Sequence, residues 1–312
     1  METLLDAAWA PPANAQTHAG TAVTPDMIFF AAPPAEIGPV LTAASTLSSE
    51  PKKRSILSEV GVALFLASFA GLIIWALLSL ISVPNGVILV LSLVAATATA
   101  AWSFYDGRVF RAECSYVGKY GMARYSLKGS PTATPKTEVM CFENATHLQT
   151  SQTRHYKNGV YSRTSYVYIW RQRNNADFQL KGAYYSESGQ PPTLDPFYLA
   201  ASGESAWTQH LLKFANQDLA EKGYVEFPVG KDPQLVRVGA NFLEFITQAG
   251  EQQRAAVADM QNVELKSGRF KFKHRDAKWW SGKGKYNFAY SGMPNARLFI
   301  LCLQQLAGVQ FS

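Results

Sequence analysis

From residue 60 to residue 105 the chain runs for 46 positions without a single Asp, Glu, Lys or Arg. A helix needs about 20 apolar residues to cross a bilayer core of about 30 Å, so this run is long enough for two. Ser82, Val83, Pro84, Asn85 and Gly86 interrupt it, and Pro, Asn and Gly together mark a tight turn. The run predicts a transmembrane α-helical hairpin over residues 56–106. The alternative, a helical pair buried in a soluble protein, normally keeps a polar face, and neither half has one. Ala63, Ala67 and Gly71 recur four apart in the first half, and Ala95, Thr99 and Ala101 stand in the second. Small residues at that spacing suit close helix packing in lipid. No ionisable group lies deep in either half, which argues against a proton or ion path.

Charge around the hairpin sets its expected direction. Lys52, Lys53 and Arg54 precede it, Arg108 and Arg111 follow it, and the central turn is uncharged. Lys and Arg stay on the cytoplasmic side. Both termini are therefore expected in the cytoplasm, with the chain crossing the cell (inner) membrane twice. Trp102, Phe104 and Tyr105 fall where aromatic rings anchor at headgroups. The formal net charge of +6 is unevenly spread. Residues 1–50 carry five acids and no Lys or Arg, whereas residues 113–312 carry 24 Lys and Arg against 16 Asp and Glu. A basic body tethered beside an inner leaflet feels its anionic lipids.

Residues 1–55, rich in Ala, Pro, Thr and Ser and without helical or strand period, read as a disordered tail. One island in it, Asp26, Met27, Ile28, Phe29 and Phe30, is apolar enough for a short docking motif or a sticky linker. Cys114, Cys141 and Cys302 form no CxxC pair, and their odd number does not suggest a disulfide framework. They read as small buried residues in a reducing compartment.

Residues 113–312 read as α+β, in two units over 113–223 and 224–312. In the first, strand-like runs at 122–127, 138–142, 147–156, 160–171 and 177–185 lead to a helix over 206–221. Asn158-Gly159 between two such runs signals a hairpin. Ser205 is the expected helix cap and Gly223 its stop, with Trp207, Leu211, Phe214 and Leu219 as an apolar stripe. The second unit repeats the order, with strands at 235–238, 242–247, 255–258, 262–266, 269–274 and 286–290. A helix follows over 296–306, its buried stripe on Leu298, Leu301, Cys302 and Leu306 and widened by Phe299 and Leu303. A single larger α+β domain is the competing reading. Antiparallel sheets each closed by a C-terminal helix resemble, by element order, pleckstrin-homology-like domains, possibly in tandem. The whole chain resembles uncharacterised bacterial two-span membrane proteins that carry such domains in the cytoplasm.

The most unusual local stretch is 266–285, where eight side chains are Lys or Arg and only Asp276 is acidic. Lys271, Lys273, Arg275, Lys278, Trp279, Trp280, Lys283 and Lys285 form its candidate binding surface. Lys and Arg reach phosphates and Trp settles at an interface. A solvated basic face is the bland alternative. Basic, aromatic surfaces also attract nucleic acid, but a tether already at a lipid surface favours headgroups or a protein partner. Gly203-Glu204-Ser205 starts like a nucleophile elbow and lacks its closing Gly. His147 and His155, and the scattered His18, His210 and His274, show no metal-ligand spacing. No cofactor motif appears. The expected function is a non-enzymatic, membrane-anchored interaction module. Its rivals are an accessory subunit of a larger membrane assembly and an enzyme with catalytic residues on unpatterned loops.

Overall fold

The computed structural model describes residues 9–49, 56–81, 83–186, 190–230, 233–266, 268–277, 284–290 and 292–309. Two apolar helices, α1 (Ile56–Ser79) and α2 (Asn85–Arg108), form the hairpin. Both are long and apolar enough to cross a membrane. They touch along small residues. Ala63 and Ala67 are buried, and a Cβ on Gly71 would lie 3.4 Å from Ala96 Cβ. Ile88 completes the seam, and Ala101, expected in it, is exposed.

The rest is built twice from one succession of elements. Unit 1 has a four-stranded antiparallel sheet, β1 (Val40–Ser45), β2 (Phe110–Gly118), β3 (Gly121–Gly129) and β4 (Lys136–Cys141). A 3-10 turn at Phe142–Asn144 leads to a three-stranded sheet, β5 (Ala145–Lys157), β6 (Val160–Gln172) and β7 (Phe178–Tyr184), and then to helix α3 (Pro196–Lys222). Unit 2 repeats this with β8 (Tyr224–Pro228), β9 (Leu235–Gly239), β10 (Phe242–Ile246) and β11 (Gln252–Ala256). After a 3-10 turn at Val257–Asp259 come β12 (Met260–Lys266), β13 (Arg269–His274), β14 (Lys285–Ala289) and helix α4 (Ala296–Gln305).

The helical hairpin is inserted between the first two strands of unit 1. β1 precedes it, β2 follows it, and they pair from Val40↔Gly118 to Ser45↔Cys114. At the feet of the hairpin Thr46 N–H donates to Glu113 O (2.9 Å) and Glu113 N–H to Thr46 Oγ1 (2.8 Å). The expectation of a disordered tail over 1–55 is thereby corrected for residues 9–49. They supply β1 and cover the outer face of its sheet. Phe29, Phe30, Ile37 and Ala43 pack there on Ala112, Cys114, Tyr116 and Leu127. The Asp26–Phe30 island docks on its own chain. Composition misleads here because the segment borrows its order from a sheet more than 60 residues downstream, as Val40 pairing with Gly118 shows.

Helix α3 begins ten residues earlier than predicted. Its cap is Asp195, whose carboxylate accepts from Phe197 N–H (2.8 Å), with Pro196 at the first helical position. Ser205 lies inside the helix. Gly223 closes it at φ 79°, as expected. The longer helix serves both units. Leu199, Ala200, Ala206 and Trp207 lie in the core of unit 1, and Ala215 with Leu212 and Leu219 in that of unit 2. Phe214, expected in this stripe, is half exposed, beside the Lys213 ammonium 4.6 Å from its ring. At Gly203 the helix meets β3 so closely that a Cβ would fall 2.3 Å from Met122 Sδ. In α4 the buried line runs through Phe299, Cys302 and Leu303, so the two positions expected to widen the stripe are its centre, and Leu301 is only partly buried.

The units are also stapled by backbone. Asn295, in the left-handed region at φ 58°, accepts at Oδ1 from Leu148 N–H (3.0 Å) and from Trp207 Nε1–H (2.8 Å). Its own N–H donates to Leu148 O (2.8 Å), and Gly292 N–H reaches Thr150 O (3.3 Å). Two backbone hydrogen bonds thus hold the turn entering α4 against the outer edge of β5.

Candidate functional site

The basic stretch singled out in the sequence folds as an edge of unit 2. Phe270 and Phe272 of β13 point into the core and Arg269, Lys271 and Lys273 point out, the alternation of a half-buried strand. Lys285 lies on β14 directly opposite Lys273, and Lys271 lies between Glu264 and Asn287. Lys271, Lys273 and Lys285 are exposed and lie on neighbouring strands. Arg275 is ion-paired with Asp259, 3.0 Å distant. Lys278, Trp279, Trp280 and Lys283 lie outside the described residues.

Beside this face runs a groove of about 780 Å³, between the outer edges of β11 and β14. Its floor is aromatic: Phe245 and Tyr286 stack at 4.5 Å, and Phe288 adjoins them. Gln253 and Arg254 line one side, Lys285 and Asn287 the other. Pro233 and Thr247 close one end, so the groove lies where three connections of unit 2 converge. Sequence reading missed it, because it joins strands 30 residues apart. The traceable signal was the run of inward aromatics in β14 opposite Phe245.

The other sheet of unit 2 has a neutral outer face. Glu226, Arg237, Glu244 and Arg254 form a row across four strands, with contacts of 2.9, 3.1 and 3.2 Å. Charges that alternate satisfy one another, so the excess positive charge of unit 2 is concentrated on β13 and β14.

A second cavity, of about 200 Å³, lies at the feet of the hairpin, lined by His18, Ser45, Glu113, Ser115, Asp195 and Tyr198 among others. Its His and Ser are near each other: His18 Nε2 lies 3.0 Å from Ser115 Oγ. The other ring nitrogen meets the Thr42 hydroxyl rather than a carboxylate. Burial pushes His18 down to about 4, which leaves it a weak base at neutral pH. Asp195 is engaged in capping α3 and in accepting from Tyr166 Oη (3.1 Å). This cluster fastens residues 9–49 to the sheet, with Ser202 Oγ donating to His18 O (3.0 Å). Burial also raises Glu113 and takes the Cys302 thiol to about 12, far from a reactive thiolate.

No family model matches the chain, and no curated protein matches it as a relative.

Proposed function

We propose that this is a membrane-anchored interaction module, without catalysis of its own, whose body binds anionic lipid headgroups through the lysine face of β13 and β14. The hairpin crosses the inner membrane twice and leaves both ends in the cytoplasm. Each unit is read as pleckstrin-homology-like, supported by the order of four strands, three strands and a closing helix.

One observation carries the membrane reading. The two apolar helices bury almost nothing: 11% of the first window and 6% of the second. Leu64, Phe65, Phe69, Leu72 and Trp75 on α1 and Leu89, Leu93 and Val94 on α2 are exposed. Core helices of a soluble protein bury such residues, and a contiguous apolar surface of this kind needs lipid or protein around it. The headgroup reading is supported by Lys271, Lys273 and Lys285 sharing one exposed face. Lysine labelling tests it on the whole protein in nanodiscs. Lys271 and Lys273 should react more slowly in anionic than in neutral lipid, and raised salt should abolish the difference by screening. Equal rates in both lipids would remove the headgroup reading and leave the anchor intact.

A further inference from the structure

We infer that the far end of the β5–β6 hairpin is a membrane contact in its own right, a basic, tyrosine-bearing tip that rests in the headgroup layer of an anionic leaflet. This rests on the anchor reading, that lipid surrounds α1 and α2, and not on the lysine face of β13 and β14. The first support is direction. A Cβ on Gly203 would lie 2.3 Å from Met122 Sδ and 3.2 Å from the Trp170 ring, so Trp170 of β6 stands level with Met122, the partner of Val117 in β2. Towards the start of β6, Tyr166 Oη donates to Asp195 Oδ1 (3.1 Å), and Asp195 shares a cavity with Glu113, Ser45 and Thr46. From Trp170 to Tyr166, β6 therefore runs beside β2 from Val117 to Glu113, towards the side of unit 1 from which the hairpin leaves. From Tyr166 to Val160 it continues for roughly another 20 Å. From Glu113 to the end of α2 at Arg108 the chain spans at most about 17 Å. The tip of the ribbon thus lies on the bilayer side.

The second support is that the ribbon is bare. β7 pairs with β6 from Phe178↔Trp170 to Tyr184↔Thr164, and beyond it residues 153–163 form two strands alone. Such a ribbon is marginal in water and gains from a surface to rest on. Unit 2 has no such overhang. Its β12 and β13 have seven and six residues, against thirteen in each of β5 and β6, and β14 pairs along β13 up to Arg269 at the turn. The overhang belongs to the unit that carries the anchor. So does the Arg124–Glu138 ion pair in the seam between its sheets, where unit 2 stacks Phe245 on Tyr286. The third support is chemistry. Residues 145–176 contain no Asp or Glu. Arg154, Lys157 and Arg163 are exposed near the tip and in no ion pair among the described residues. Val160 is 70% exposed, and Tyr156, edge-on to Tyr161, 58%. In a headgroup layer cations reach phosphates and Tyr takes the interface. A basic two-stranded ribbon also fits a nucleic-acid groove, and the direction of this one favours lipid.

The test attaches a spin label to Val160→Cys, and separately to Gln179→Cys on the same sheet away from the tip, in full-length Cys141→Ser protein in nanodiscs. Collisions of the label at position 160 with a neutral, water-soluble nickel chelate should fall about threefold or more when phosphatidylcholine is replaced by phosphatidylserine. Those at position 179 should not change. Arg154→Glu with Arg163→Glu, both on the surface, should restore the rate seen in phosphatidylcholine. The inference is overturned by equal rates at position 160 in both lipids, by a fall that survives the double substitution, or by a label slowed by duplex DNA and not by lipid. In each of these the protein still sits in the disc and the anchor stands. Protein that never enters the disc would remove the anchor, and this inference with it.

Discussion

Units 1 and 2 share one succession of strands and one closing helix, yet they treat their surfaces differently. In unit 1 the four-stranded sheet is covered on both faces, by α3 and the second sheet on one side and by residues 9–49 on the other. Its edge β5 is occupied and its seam is shut by Arg124 and Glu138. In unit 2 the corresponding outer face carries a row of paired charges, and the corresponding seam is an aromatic groove beside exposed lysines. The hairpin springs from unit 1, between β1 and β2. The difference teaches a division of labour: the unit that holds the anchor is closed, and the unit farther along the chain keeps open surface.

Five substitutions and one pH series sharpen that contrast. The largest effect belongs to Phe29, wholly buried against Tyr116. Phe29→Ala should cost about 3–5 kcal/mol, measured by thermal or denaturant unfolding of the full chain. Arg254→Ala, on the equivalent outer face of unit 2, should cost under about 1 kcal/mol; equal costs would break the comparison. Next is Asn295→Ala, which orphans the Leu148 amide and the buried Trp207 indole N–H and leaves a left-handed Ala. A loss of about 2–3 kcal/mol is expected, and amide exchange at Leu148 should accelerate.

Acid should loosen unit 1 in a defined window. His18 is held near 4 when folded against 6.5 when unfolded. Between those values the unfolded chain binds the extra proton, so stability falls as pH drops from about 6.5 towards 4. The loss is about 2 kcal/mol by pH 5, and His18→Gln should flatten melting temperature over that range; an unchanged slope would assign the acid sensitivity elsewhere. The smallest effect is Lys273→Glu. It removes one of the exposed positive charges and should change stability by no more than a few tenths of a kcal/mol, while reducing the response of Lys271 labelling to anionic lipid.

Much of this architecture was legible along the chain wherever a signal is local. The uncharged run announced both long helices. Asn158 (φ 52°) and Gly159 (φ 79°) turn between β5 and β6 as the dipeptide predicts. Alternation in 269–274 gave β13 with its exact bounds. What stayed hidden depends on distant partners. Val40–Ser45 is short and half made of Thr, Ser and a single Val, without strand alternation, and becomes a strand because β2 lies across the hairpin from it. The early start of α3 was masked by Gly203, a poor helix former that is needed there because Met122 leaves no room for a side chain. At the candidate site the lysine face could be read from the alternation. The groove could not, since β11 and β14 meet only through the fold.

The central claim, that lipid surrounds α1 and α2 and pins the body to a bilayer, is tested most directly by alkaline carbonate extraction of native membranes. Full-length protein that stays with the membrane pellet at pH about 11, where peripheral proteins held by charge are released, is the result the account predicts. Protein recovered in the supernatant, soluble without detergent, would contradict it.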